Sequence, residues 1–92
     1  MTTANAGAET AAETVEKDLT VFLVQRTGAE PDVDQDLFAT GVISSMFAME
    51  LVVHLEDTYD IEIVGPELSR DNFRSVRAVA AMVLRLSSAE AT

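Results

Sequence analysis

Apolar residues along this chain recur at helical spacing in three blocks separated by polar stretches. Val15, Leu19, Phe22 and Leu23 repeat at steps of three and four with Glu16, Lys17 and Asp18 on other faces, which predicts a first helix from about residue 9 to a stop at Gly28. A second begins at Ser44 or Ser45, either of which can cap the orphan amides of a first turn. It carries Phe47, Leu51, Leu55 and Tyr59 at four-residue steps and ends at Asp60. The last follows Phe73 and a capping Ser75, with Val76, Val79, Ala80, Val83 and Leu86 on one face. Between the first two, Pro31 and alternating acids over residues 29–44 argue against helix, while Leu37, Phe38, Val42 and Ile43 anchor that loop to a core. Residues 61–64 alternate like a strand, but one strand without a partner cannot satisfy its backbone, so an extended loop is expected. Gly65-Pro66 opens a short helix with Leu68 facing inward. These elements predict an all-α four-helix bundle of three main helices and one short helix, with a long loop between helices one and two. One domain is expected over residues 9–88, between an expected disordered tail at 1–8 and a C-terminal tail at 89–92.

Charge adds the next constraint. Sixteen acidic residues oppose six basic ones, for a formal net charge of −10. No lysine or arginine lies between Arg26 and Arg70, and the ten acids of that segment account for the whole imbalance. So negative a middle repels nucleic acid and anionic lipid and steers toward basic protein surfaces. The chain has no cysteine, which excludes disulfides, thiolate metal sites and a cysteine nucleophile. With no basic, apolar opening and no stretch long enough to span a bilayer, the expectation is a soluble, unprocessed, cytoplasmic protein.

Several chemistries fail on spacing. Asp32, Asp34 and Asp36 have the opening rhythm of a calcium-binding loop, but the glycine and bidentate glutamate that such a loop needs fall on Leu37 and Ile43. A serine hydrolase needs a base, and His54 is the sole histidine. If it shares a helix with Ser45, the two lie on opposite faces and roughly 13 Å apart along the axis. His54 is expected at the surface or an edge, and a lone histidine makes a poor metal site. No metal site and no catalytic residue are expected, and an independent enzyme is disfavoured.

The segment from Asp36 to Val52, Asp-Leu-Phe-Ala-Thr-Gly-Val-Ile-Ser-Ser-Met-Phe-Ala-Met-Glu-Leu-Val, resembles the attachment region of acyl and peptidyl carrier proteins. In that family a Leu-Phe loop, a glycine and an apolar pair lead to a serine that opens an acidic helix. Ser45 falls on the modified serine and Met46 on the leucine that usually follows. Glu56 to Ile63 resembles the helix's typical ending, and Phe73-Arg74-Ser75-Val76 the entry to the last helix. Two departures stand out: Ser44 replaces the usual aspartate, and Phe47 occupies a commonly acidic position. The Ser-Ser-Met-Phe-Ala run is similar to discrete carriers of small extender or amino-acyl units in bacterial polyketide pathways.

The resemblance implies a non-catalytic carrier with 4′-phosphopantetheine, derived from coenzyme A, on Ser45, and with Ser44 as the cap. Independently of the family, a phosphodiester at a helix N-terminus is favoured by unpaired amides and the macrodipole. The implied partners are a phosphopantetheinyl transferase, an acyl- or aminoacyl-loading enzyme, and an acyltransferase or synthase that collects the cargo, with no nucleic acid or membrane partner and a monomeric state. On the second helix Met46, Glu50, Val53 and Asp57 share a stripe apart from the core positions. With Phe47 and Glu56 they form the expected partner-binding set, apolar contact supplying affinity and acids steering. Phe47 also belongs to the apolar stripe of that helix. A peptidyl or D-alanyl carrier is the alternative within the class, and an unmodified acidic helical adaptor the alternative outside it.

Overall fold

A computed structural model describes residues 10–91. The predicted tail at 1–8 lies outside the described residues. Three α-helices, α1 (Ala11–Thr27), α2 (Ser45–Tyr59) and α3 (Val76–Ala91), are joined by irregular segments, with no strand among the described residues. Each helix begins where its sequence supplies an acceptor for orphan amides. At α1 the Thr10 hydroxyl accepts from the Glu13 amide at 3.0 Å and the Glu13 carboxylate accepts from the Thr10 amide at 2.9 Å, a reciprocal capping box. Ser75 Oγ accepts from the Ala78 amide at 3.1 Å at the head of α3. Gly28 ends α1 at φ 78°, where a side chain would be strained, and its amide reaches the Val24 carbonyl at 2.9 Å. Asp60 ends α2 in the same left-handed region at φ 54°, which aspartate tolerates better than most residues. The backbone of α3 stays helical to Ala91, beyond the apolar repeat that predicted it.

The core is one cluster. Val15, Leu19, Phe22 and Leu23 of α1, Leu51, Val52 and Leu55 of α2, and Val76, Val79, Ala80, Met82 and Val83 of α3 are all buried. The long connection closes over it, with Leu37 and Ile43 buried as predicted. Its backbone is tied down as well: the Leu37 amide donates to the Arg74 carbonyl at 2.7 Å, the Ile43 amide to the Leu37 carbonyl at 3.1 Å, and the Arg77 amide to the Val33 carbonyl at 2.9 Å. The chain entering α2 is thus fixed against the head of α3.

Residues 61–64 are extended without pairing. Ile61 and Ile63 are buried and Glu62 and Val64 exposed, which is the origin of the strand-like alternation. Glu56 Oε2 accepts the Ile63 amide at 2.9 Å, serving where a partner strand would otherwise be needed.

The predicted short helix is instead two 3-10 turns, Gly65–Glu67 and Arg70–Phe73. Leu68 corrects the expectation placed on it. It ends the first turn with its side chain outward, 47% exposed, and Phe73 takes the inward position at 4%. Two tight turns with a break at Leu68 rotate the apolar direction by more than a continuous α-helix would, so the buried residue arrives five positions later.

Candidate functional site

The junction of loop and α2 is built by local hydrogen bonds. Asp36 Oδ1 accepts the Ala39 amide at 2.8 Å and its carbonyl accepts the Thr40 amide at 3.0 Å, folding residues 36–40 into a tight turn. Gly41 reverses the chain at φ 81°, and open space surrounds the position where a Cβ would sit, so backbone conformation rather than crowding favours glycine there. Ile43 then enters the core and Ser44 turns outward.

The two serines divide their roles. Ser44 lies outside the helix with extended backbone, and its Oγ accepts the Phe47 amide at 3.1 Å. Ser45 is the first helical residue, exposed, and its hydroxyl makes no hydrogen bond among the described residues. The first turn of α2 contains no acidic side chain.

Beside Ser45 lies a depression of about 190 Å³ between α2 and the 3-10 turns. Ala48, Met49 and Val52 line it from α2, Phe38 from the loop, and Leu68, Ser69, Arg70 and Phe73 from the turns. The Arg70 guanidinium lies 4.2 Å from the centroid of the Phe38 ring.

The residues expected to meet partners fall into two groups. Met46 is 80% exposed and Val53 57% exposed, and Asp57 is exposed near them. Glu50 is exposed but engaged, its carboxylate 2.9 Å from Arg26 of α1. Phe47 is half-buried and packs on the core, its ring stacked at 6.0 Å from that of Phe22. Glu56, half-buried, holds the Ile63 amide as described. The sequence reading omitted Met49, 57% exposed and lining the depression, although it stands three residues after Met46 and four before Val53, the spacing of one helical face. It also omitted Arg70, for which only tertiary proximity gives a signal.

The remaining candidate groups are structural. His54 stacks on Phe22 with centroids 3.9 Å apart. Burial, and secondly the Arg26 charge, hold its pKa below 6.5 against the opposing pull of Asp18 and Asp57. Asp34 grips Arg77 through both oxygens at 2.7 and 3.2 Å, and Asp36 is occupied with its turn. No group of three or more His, Asp or Glu side chains among the described residues is placed to hold a metal. No described helix is long and apolar enough to cross a membrane.

Comparison with known proteins supplies the family. Residues 18–83 match the family described as "Phosphopantetheine attachment site". The D-alanyl carrier proteins of two strains of Lactococcus lactis subsp. cremoris and one of subsp. lactis are each 38% identical to this chain over 52 residues. Those matches span 56% of this chain and 66% of each relative, just under two thirds of their length. The junction fits a phosphodiester chemically, since it offers an exposed hydroxyl, a helix N-terminus and a first turn free of carboxylates. With the family match covering most of the chain, from α1 into α3, the chain belongs to the acyl carrier protein family, whose cofactor is covalently attached 4′-phosphopantetheine.

Proposed function

We propose that this protein is a non-catalytic carrier whose Ser45 Oγ bears the phosphopantetheine arm and whose cargo is a small acyl or aminoacyl unit handed between partner enzymes. The observation that carries the assignment is the division of roles at the head of α2: Ser44 is committed to capping, while Ser45 is exposed with an unengaged hydroxyl. The arm supplies a thiol that holds cargo as a thioester. The chain's own residues do three things. Leu37, Ile43 and the Ser44 cap hold the attachment residue at a fixed point; Met46, Met49 and Val53 offer an apolar stripe for brief docking; Asp57 and the acidic middle of the chain speed encounters with basic enzymes. His54, the single histidine, is not placed to act on cargo, since it is stacked on Phe22 and lies more than two helical turns along α2 from Ser45.

Two cargo readings have support. The Ser-Ser-Met-Phe-Ala run is similar to discrete carriers of polyketide pathways, and the Lactococcus relatives are named as D-alanyl carriers. An aminoacyl unit is compatible with both and is the class we favour. The test incubates the protein with coenzyme A, magnesium and a broad-specificity phosphopantetheinyl transferase, followed by intact-mass measurement of wild type, Ser45→Ala and Ser44→Ala. One added phosphopantetheine, lost only in Ser45→Ala, is the expected result. No addition with several transferases would favour an unmodified acidic adaptor instead. Offering the product to a D-alanine-activating ligase and to a malonyl acyltransferase then separates the cargo readings.

A further inference from the structure

Among the arginines, Arg70 alone has no carboxylate answering its charge among the described residues. Arg26 pairs with Glu50, Arg74 with Asp71, Arg77 with Asp34 and Arg85 with Glu67, whereas Arg70 makes no ion pair among the described residues despite the excess of acids. Its neighbour Asp71 is occupied by Arg74 at 2.6 Å. The Arg70 guanidinium rests instead on the face of Phe38, at the wall of the depression that Ser45 also lines. Stacking uses only the flat face of a guanidinium. A ring face takes up none of its N–H donors as a carboxylate would, and no hydrogen bond from them is made among the described residues, so they stay available to an oxyanion. The backbone behind it is fixed, because Arg70 opens a 3-10 turn capped by Ser69, whose Oγ accepts the Asn72 amide at 3.4 Å.

We propose that Arg70, seated on Phe38, is the counter-ion for the phosphodiester on Ser45 and so orients the root of the arm over the depression between α2 and the 3-10 turns. The assignment rests on Ser45 being the attachment point. A phosphodiester keeps one negative charge at neutral pH, and a guanidinium already held over a ring loses less freedom in binding it than a mobile lysine would. Phe38 is the platform, so its contribution is separable from the charge.

The test compares apo and holo protein by two nuclear resonance readouts that need no partner enzyme: the Arg70 Nε–H cross-peak and the ³¹P shift of the phosphodiester. In wild type, conversion to holo should move the Arg70 cross-peak and slow its exchange with water. The ³¹P shift should differ from that of the same protein in urea. Arg70→Gln should move the ³¹P shift part of the way toward the unfolded value, the helix N-terminus still acting on the phosphodiester, Phe38→Leu should weaken the effect, and high salt should shrink it, as for any exposed ion contact. Amide spectra of both variants establish that they remain folded. Modification of Ser45 with an unmoved Arg70 cross-peak and an Arg70-independent ³¹P shift would overturn this assignment alone. A response confined to holo protein loaded with a carboxylated acyl group would also overturn it, making the cargo the source of the anion. Mass gain on Ser44, or none, would overturn the attachment reading and this assignment with it.

Discussion

Glu56 was placed by sequence among the residues that attract partners, yet its carboxylate accepts the amide of Ile63, a residue only 2% exposed. Replacing Glu56 with alanine removes that acceptor and leaves a buried donor unanswered. A hydrogen bond to a charged acceptor contributes roughly 1.5–3 kcal/mol, and the half-exposed position of Glu56 puts this one at the low end. Two effects work against the loss. A negative charge in the last turn of a helix opposes the macrodipole by roughly 0.3–1 kcal/mol, and alanine is itself the better helix former. The net expectation for Glu56→Ala is about 1 kcal/mol of destabilisation, which in a domain of this size lowers the melting temperature by about 4–8 °C. Glu56→Gln keeps an acceptor while removing the charge and should be near neutral, as should Asp57→Ala on the exposed face. Thermal and urea unfolding followed by circular dichroism gives all three values. If Glu56→Ala melts with Asp57→Ala, or Glu56→Gln is as damaging as alanine, the carboxylate does not anchor the extended segment.

Ser44→Ala should destabilise by roughly 0.5–2 kcal/mol through loss of the α2 cap, measurable in urea, while still accepting phosphopantetheine when folded. Because burial and Arg26 lower the pKa of His54, the neutral ring is favoured in the folded state. This contribution to stability is complete above pH 6.5 and is lost as pH falls through the folded value, so His54→Gln should flatten the difference in stability between pH 7.5 and 5.5 relative to wild type. Tyr59, the single tyrosine, donates to Asp18 Oδ2 at 3.1 Å, and burial followed by the Asp18 charge pushes its pKa up to about 12. Absorbance titration at alkaline pH should therefore find a midpoint well above 10, moved downward by Asp18→Asn. A midpoint at 10 in folded protein would contradict the contact.

The helices were legible because periodicity and caps agreed: Ser44, Gly28 and Ser75 each stand where a local bond requires them, while the Thr10 cap of α1 emerges only from the structure. The helical start at Gly65-Pro66 is present, but proline after glycine does not give its pitch, and the inward placement of Leu68 fails because 3-10 winding passes that role to Phe73. At the head of α2 the sequence allowed either serine to cap, and geometry assigns that bond to Ser44. The Phe22–His54 stack, the Glu56–Ile63 bond and the approach of Arg70 to Phe38 depend on how distant segments meet, and no local pattern encodes them.

The most direct test of the central claim is fragment mass spectrometry of the peptide spanning Ser44 and Ser45 after transfer from coenzyme A. Fragment ions carrying the phosphopantetheine mass on Ser45, with Ser44 unmodified, are predicted. The same mass on Ser44, or an unmodified peptide under conditions that convert a known carrier fully, would contradict the account.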